Sequence, residues 1–309
     1  MGRFVLRRLL VAILVMITVS MVGFGLLRLS GNLAALLAGN GATPEQVAEV
    51  AHRYGLDRPI VIQYFDWAGQ ALQGNLGKSL FTGEPVSTLI VTHIGVTLTL
   101  ALGALVFGLV LAIPLGVAAA TRPNSWLDRA CLTAAVFGQA VPGFWFGLIL
   151  IYIFGVQLRM LPISGAATWQ GFILPIVALG VGTMPGFMRL TRTGMLEVLS
   201  SDYIRMARAK GLSTVSVLFK HALRNAILPV VTVSAVQLGL LLGGSVVIET
   251  VFALNGIGRL AFDAIANSDF PVVQSILVVL SVGYIVLTFI AEVVNAQLDP
   301  RIRLWMPGV

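Results

Sequence analysis

Charge is scarce in this sequence. Asp, Glu, Lys and Arg make up 11% of its 309 residues, against about 25% in an ordinary soluble domain. A deficit of that size, beside 57% hydrophobic residues and a mean hydropathy of +0.94, excludes a soluble two-domain protein. It places the chain among the polytopic membrane proteins. Cysteine is nearly missing as well. Cys131 is the single one, so no internal disulfide can form, and no metal-ligand neighbours accompany it. No carboxylate pair and no nucleophile–base set emerges, which leaves a membrane-embedded enzyme without support. The centres of the apolar runs lack charged residues, and this counts against a self-sufficient secondary transporter or channel. A nucleotide-binding loop is also missing. Gly74-Asn-Leu-Gly-Lys-Ser79 imitates the end of one, but Leu72 stands where a Walker A loop needs glycine, and no apolar strand precedes the stretch.

What the chain does contain is a series of long apolar runs. They predict an all-α polytopic membrane protein, a single transmembrane domain over 1–309, with six spans at about 9–27, 97–120, 130–156, 171–188, 226–248 and 272–294. The first run follows Arg3, Arg7 and Arg8 and resembles a signal peptide. At about 19 residues it exceeds the apolar region of such a peptide, so it reads as an uncleaved span, although Ala34–Ala38 has the makings of a cleavage site. Residues 30–93 read as an external region. In it, Thr43-Pro-Glu-Gln46 predicts a capping box at the start of a short helix that stops at Gly55. A second short helix over 58–73 carries Tyr64, Phe65 and Trp67, the residues of a membrane interface.

Charge orients these spans. Fourteen basic residues (Arg3, 7, 8, 122, 129, 189, 192, 205, 208, 224, 301 and 303, Lys210 and Lys220) fall on one side. Six (Arg28, 53, 58, 159 and 259, Lys78) fall on the other. The bias predicts both termini in the cytoplasm and accounts for the net charge of +7 without a nucleic-acid partner.

Residues 189–225 then form a cytoplasmic loop holding a basic island, Asp202 to Asn225. Ser200, Ser201 or Asp202 can cap a helix here. Tyr203, Met206, Ala207 and Lys210 fall on one helical face, with Arg205 and Arg208 beside them. Gly211 suits a helix stop, and Ser213 or Thr214 can cap a second helix carrying Val217, Leu218 and His221 towards Leu223 and Asn225. The pattern is two short helices with an elbow at Gly211. Small Ala207 and Gly211 would let another protein approach closely. By composition alone an ordinary positive-inside loop accounts for the stretch equally well.

Elsewhere the candidates are sparser. Gln139, Pro142 and Gln237 stand inside spans and are candidates for a translocation path, because polar groups in spans turn towards the bundle interior. Pro142, Pro175 and Pro185 bend helices around a path or mark tolerated kinks. Gly143/Gly147 and Gly239/Gly243 are small-residue pairs for helix packing, within the subunit or against a second one. His93 and His221 read as an interfacial and a loop-packing residue, not as metal ligands. Glu292 falls near the inner end of the sixth span.

One resemblance covers nearly the whole chain. Tyr203-Ile-Arg-Met-Ala-Arg-Ala-Lys-Gly211 followed by Leu218-Phe-Lys-His-Ala-Leu-Arg-Asn-Ala-Ile-Leu-Pro229 resembles the cytoplasmic loop of ABC-importer permeases of the dipeptide/oligopeptide/nickel family. The general importer motif is Glu-Ala-Ala, three residues, Gly. Here Arg205-Met206-Ala207 and Gly211 fill it, and the basic first residue is a departure common in the peptide branch. The start Met1-Gly-Arg-Phe-Val-Leu-Arg-Arg-Leu-Leu10 is similar to the family's, as are Tyr54-Gly-Leu-Asp-Arg-Pro59 with Gln63-Tyr64, Gly74–Ser79, Glu249-Thr-Val-Phe252 and Leu298-Asp-Pro-Arg301. Asn255-Gly256 replaces the family's Pro-Gly before Ile257-Gly258.

The resemblance implies the type I importer permease fold and a bacterial cytoplasmic-membrane location. It also implies a coupling loop made of Tyr203, Arg205, Met206, Ala207, Arg208, Lys210, Gly211, His221 and Arg224. Its implied partners are a second homologous permease, two cytoplasmic ATPases that hold ATP and Mg, and an extracytoplasmic solute-binding protein. This chain itself would bind no cofactor or metal and hydrolyse nothing. Di- or oligopeptides are the expected cargo, with nickel chelates, glutathione or opines as the family's other substrates.

Overall fold

The computed structural model describes residues 2–298 except 32 and 40. Residues Asp299 to Arg301 of the C-terminal motif, with Arg303, lie outside the described residues, as do the side chains of Arg3, Glu292 and Leu298. Among the described residues every regular element is a helix, and Lys78 and Pro85 form one isolated bridge. Among the described residues four helices are long and apolar enough to cross a membrane: the stretches Leu6–Leu29, Val86–Thr121, Trp169–Leu199 and Phe270–Ile290. Two bent pairs bring the number of spans to six if each pair is one span. The chain divides into two compact units, residues 1–95 with 256–285, and 96–255 with 286–309, where the sequence reads as one domain.

The first unit begins with α1 (Gly2–Ser30), followed by the short α2 (Leu33–Ala38), α3 (Pro44–Arg53) and α4 (Ile60–Leu72). The capping box forms as expected. Thr43 Oγ1 accepts from the Gln46 amide at 3.4 Å, and the Gln46 side chain accepts from the Thr43 amide at 2.9 Å. Near its end α1 meets α4 through aromatic rings: Phe24 is buried, with Tyr64 edge-on at 5.7 Å and Trp67 at 5.9 Å. Ser20 and Tyr64 share a hydrogen bond of 2.8 Å.

The Gly74–Ser79 turn has a structural use. The Ser79 hydroxyl donates to buried Asp269, and the Leu80 amide donates to the same carboxylate at 3.1 Å. The turn is thereby fixed to the segment between α13 (Ile257–Ala266) and α14 (Phe270–Leu298).

Helix α5 (Val86–Thr121) has 36 residues, about 54 Å at 1.5 Å per residue, and begins eleven residues before the expected span at Thr97. The region placed outside the membrane therefore ends in helix. Pro85 precedes α5, and Val86, Leu89 and Ile90 supply an i, i+3, i+4 stripe buried against Ile257, Val272 and Ile276. His93 shares this turn. Its Nδ1 donates to the Leu89 carbonyl at 2.6 Å, a packing contact.

The second unit shows the largest departure from the expected spans. Residues 130–156 form two helices, α6 (Trp126–Ala140) and α7 (Gly143–Leu150), the latter running on as a π-helix to Gln157. The two meet at 96°. Val141 is extended, with φ −81° and ψ 123°, because the Pro142 ring excludes the helical region for the residue before it. Pro142 then serves as the N-cap position of α7.

Helix α8 (Ile173–Leu199) carries its prolines without breaking. Pro175 lies in the first turn, where no amide partner is needed; Pro185 lies inside. The helix runs eleven residues past the expected end at Met188. Small residues let it meet α5 closely: a Cβ on Gly180 would sit 2.8 Å from the Ala104 carbonyl, and one on Gly116 would sit 2.8 Å from the Met188 carbonyl. Gly147, one of the expected packing glycines, meets Phe252 within the subunit, while Gly143 and Gly243 face open space.

Candidate functional site

The basic island follows α8 and folds as two short helical pieces. Helix α9 (Asp202–Ala209) begins after Ser201. The Ser201 hydroxyl donates backwards to the Val198 carbonyl at 2.6 Å, so the cap position is filled without the expected side-chain cap. Gly211 has φ +74°, a conformation that glycine reaches without penalty. Its amide returns to the Arg208 carbonyl at 3.0 Å, which closes the helix. Ser213 begins the second piece: its hydroxyl accepts from the Ser216 amide at 3.4 Å. A π-turn over Ser216–Ala222 leads into α10 (Leu223–Ala226) and, after a bend of 53°, into α11 (Leu228–Gly244).

Burial sorts the island into two faces. Ile204, Ala207, Val217, Ala222 and Ala226 form one apolar cluster with Met195 of α8 and with Val117 and Ala120 at the end of α5. Ala207 is thus turned into the chain's own core, 8% exposed, and the close approach expected there is made to this chain. The opposite face is open. Met206, Val215 and Phe219 are each more than half exposed, and Tyr203 and Leu212 are also exposed. Arg205, Arg208, Lys210 and Arg224 are exposed as well, and His221 is half-buried. Gly211 faces open space: among the described residues, its chain neighbours apart, no atom lies within 4 Å of where a Cβ would stand. Asn225 donates to the Tyr203 hydroxyl at 2.8 Å, which joins the two pieces.

One feature holds the island to its support, and a second braces that support. Gly194 of α8 meets the α10 backbone so closely that a Cβ would lie 2.7 Å from the Ala226 carbonyl. Arg192 of α8 makes a two-pronged ion pair with Asp128 in the first turn of α6, Nε to Oδ1 at 2.6 Å and Nη2 to Oδ2 at 2.7 Å. Asp128 is 2% exposed. The Asn124 amide also donates to it, at 2.9 Å. In sequence, Asp128 stands in the short stretch between the second and third expected spans, with Arg122 and Arg129. Its one signal was being the lone acid in a basic segment.

The path candidates fall in different places. Gln139, near the end of α6, accepts from both terminal nitrogens of Arg189 at 3.1 Å, and Pro142 lies at the adjacent bend. A small apolar cavity of about 210 Å³ occupies that angle, bounded by Phe137, Val141, Phe146 and Val181. Gln237 is half-buried in α11, in a different helix from this pair. A further carboxylate, Glu249 in α12 (Val246–Val251), is fully buried. It accepts from Thr97 Oγ1 at 2.8 Å and from Ser245 Oγ at 2.7 Å. In sequence it stands just past the end of the fifth expected span, 226–248. Among the described residues no group of three or more His, Cys, Asp or Glu side chains is placed to hold a metal.

Comparison with known proteins fits this arrangement. Residues 112–304 match the family model of the binding-protein-dependent transport system inner membrane component, and residues 1–101 match the N-terminal model of such membrane components. A probable peptide ABC transporter permease from Sinorhizobium fredii is 42% identical, over 98% of this chain and 100% of that protein. The glutathione transport system permease GsiC of Salmonella choleraesuis is 39% identical over 98% and 99%. Among solved structures, the inward-facing MetNI methionine ABC transporter matches with a TM-score of 0.59 and 22% identity, over 68% of this chain and 96% of that one. An amino acid ABC transporter with histidines matches at 0.53 and 15%, over 68% and 94%. These two show the fold. A helical chain with four to six candidate membrane spans and these matches along its length belongs to the binding-protein-dependent transport system inner membrane component family: it is the multi-pass inner-membrane permease of a bacterial ABC importer.

Proposed function

We propose that this permease forms half of a translocation path for di- or oligopeptides, and that it takes its driving force from cytoplasmic ATPases through residues 202–225. The observation that carries the reading is the two-faced island. One face is locked to α5 and α8 by Ile204, Ala207 and Ala222. The other offers Tyr203, Met206, Val215 and Phe219 among basic side chains. A docked partner that moves this face moves the membrane helices with it, because the two share one packed core. The relatives support the cargo class. One is named for peptides and another for glutathione, itself a tripeptide.

In this reading both termini are cytoplasmic. A second, non-identical permease completes the path, and an extracytoplasmic binding protein delivers the cargo. ATP and Mg are held by two separate ATPase subunits. Gln139, Pro142 and Gln237 line the path, with the α6–α7 bend at its wall. Vesicles containing all the subunits test this directly. Peptide uptake should require ATP and the binding protein, whereas uptake by this chain alone would refute the reading.

A further inference from the structure

The first unit encloses a cavity of about 460 Å³ that coupling and translocation leave unused. It is bounded by the end of α1, by α2 and α4, by the Gly74–Ser79 turn and by the start of α14, and its size suits a small-molecule site. Leu27, Leu33, Leu37 and Phe270 give it apolar walls, and Arg28 and Lys78 bring two cations to it. The Arg28 guanidinium lies 4.9 Å from the centre of the Phe24 ring and makes no ion pair among the described residues. Asp66, the carboxylate on the wall, faces Arg58 at 3.5 Å. The cavity therefore presents net positive charge.

Two buried amides sharpen the chemistry. Gln63 Nε2 donates to the Leu56 carbonyl at 2.9 Å and to the Arg58 carbonyl at 2.8 Å, which fixes how its amide is turned. Its Oε1 is buried with no hydrogen-bond partner among the described residues. Gln274 is 7% exposed, and its Nε2 is likewise buried without a partner. An unused acceptor and an unused donor are costly and are relieved by a group that both donates and accepts.

The surroundings name the source. Leu29 and Leu72 are 82% and 87% exposed, as suits residues facing lipid. Tyr64 and Trp67 are side chains of the kind that sit at a membrane interface. The geometry points to an anionic glycerophospholipid with a hydroxylated headgroup, of the phosphatidylglycerol kind. Its phosphodiester faces Arg28 and Lys78, its headgroup hydroxyls donate to Gln63 Oε1, whose amide the two carbonyl bonds hold in place, and accept from Gln274 Nε2 as that side chain turns, and the start of an acyl chain lies along Leu33, Leu37 and Phe270. The site is independent of the transport reading.

Native mass spectrometry of the delipidated importer complex, titrated with defined ligands, tests it. Phosphatidylglycerol should bind at one tight site per permease, with zwitterionic phosphatidylethanolamine clearly weaker. Arg28→Gln and Lys78→Gln should each weaken phosphatidylglycerol by about fivefold, the worth of one cation near a membrane surface. Gln274→Leu should weaken it too, while Arg28→Lys keeps it and serves as the folded control. Unchanged phosphatidylglycerol binding in the Arg28→Gln and Lys78→Gln variants, or equal binding of phosphatidylethanolamine, would overturn the proposal. Glycerol phosphate or inorganic phosphate binding as tightly as the lipid would overturn the lipid as its source.

Discussion

The Asp128–Arg192 pair is where a single substitution should cost most. Asp128 is 2% exposed and the Arg192 side chain 20%, so removing either partner strands a charge in a place that water reaches poorly. Breaking a buried pair costs about 3–5 kcal/mol. The partial exposure of Arg192 argues for the lower end, about 3 kcal/mol, which is a large share of a typical stability. Arg192→Met leaves the Asp128 carboxylate, among the described residues, with the Asn124 amide as its hydrogen-bond donor. Asp128→Leu leaves the guanidinium against the α6–α8 contact. The double variant removes both charges together and should recover most of the loss, because a buried pair replaced by apolar groups is often nearly neutral. The assay is a double-mutant cycle on the purified complex, read by denaturant or thermal unfolding, and it should give a coupling energy above about 2 kcal/mol. Simple additivity of the two single effects, or single effects under about 1 kcal/mol, would refute the claim that the pair is what clamps α8 to α6.

Further predictions concern the island. Gly194→Val should destabilise by about 1–3 kcal/mol and impair uptake, since the added carbons meet the Ala226 carbonyl and backbone cannot yield as a side chain does; uptake and melting temperature together check it. Met206→Glu and Ala207→Glu, adjacent in sequence, should behave oppositely. The first, on the open face, should leave the melting temperature unchanged and weaken co-purification of the ATPase. The second buries a charge in the core of the island and should lower the melting temperature itself.

The class of protein was legible because composition acts over the whole chain. Few charges, long apolar runs and an asymmetric distribution of Lys and Arg report on a membrane directly. Local chemistry was legible too: the Thr43 capping box, the helix stop at Gly211 and the second start at Ser213 rest on contacts within four residues. Whatever depends on distant partners was not. Pro142, Pro114 and Pro185 look alike in sequence, yet the first ends a helix and the others lie inside one. The Arg192–Asp128 pair spans 64 residues, and no periodicity announces it. Ala207 shares its helical face pattern with Tyr203 and Met206, and only packing against Met195 and Val117 decides that it points inward.

The central claim, that the island transmits the work of ATP hydrolysis, is tested most directly at Gly211. Its φ of +74° means that any side chain there carries a backbone cost of about 1–2 kcal/mol, which asparagine bears best. A side chain there projects into open space, so bulk should be felt by a partner and not by the fold. In reconstituted vesicles, Gly211→Asn should retain ATP-driven peptide uptake, while Gly211→Arg should insert normally and lose the coupling of ATP hydrolysis to uptake. Normal uptake by a stably inserted Gly211→Arg complex would contradict the account.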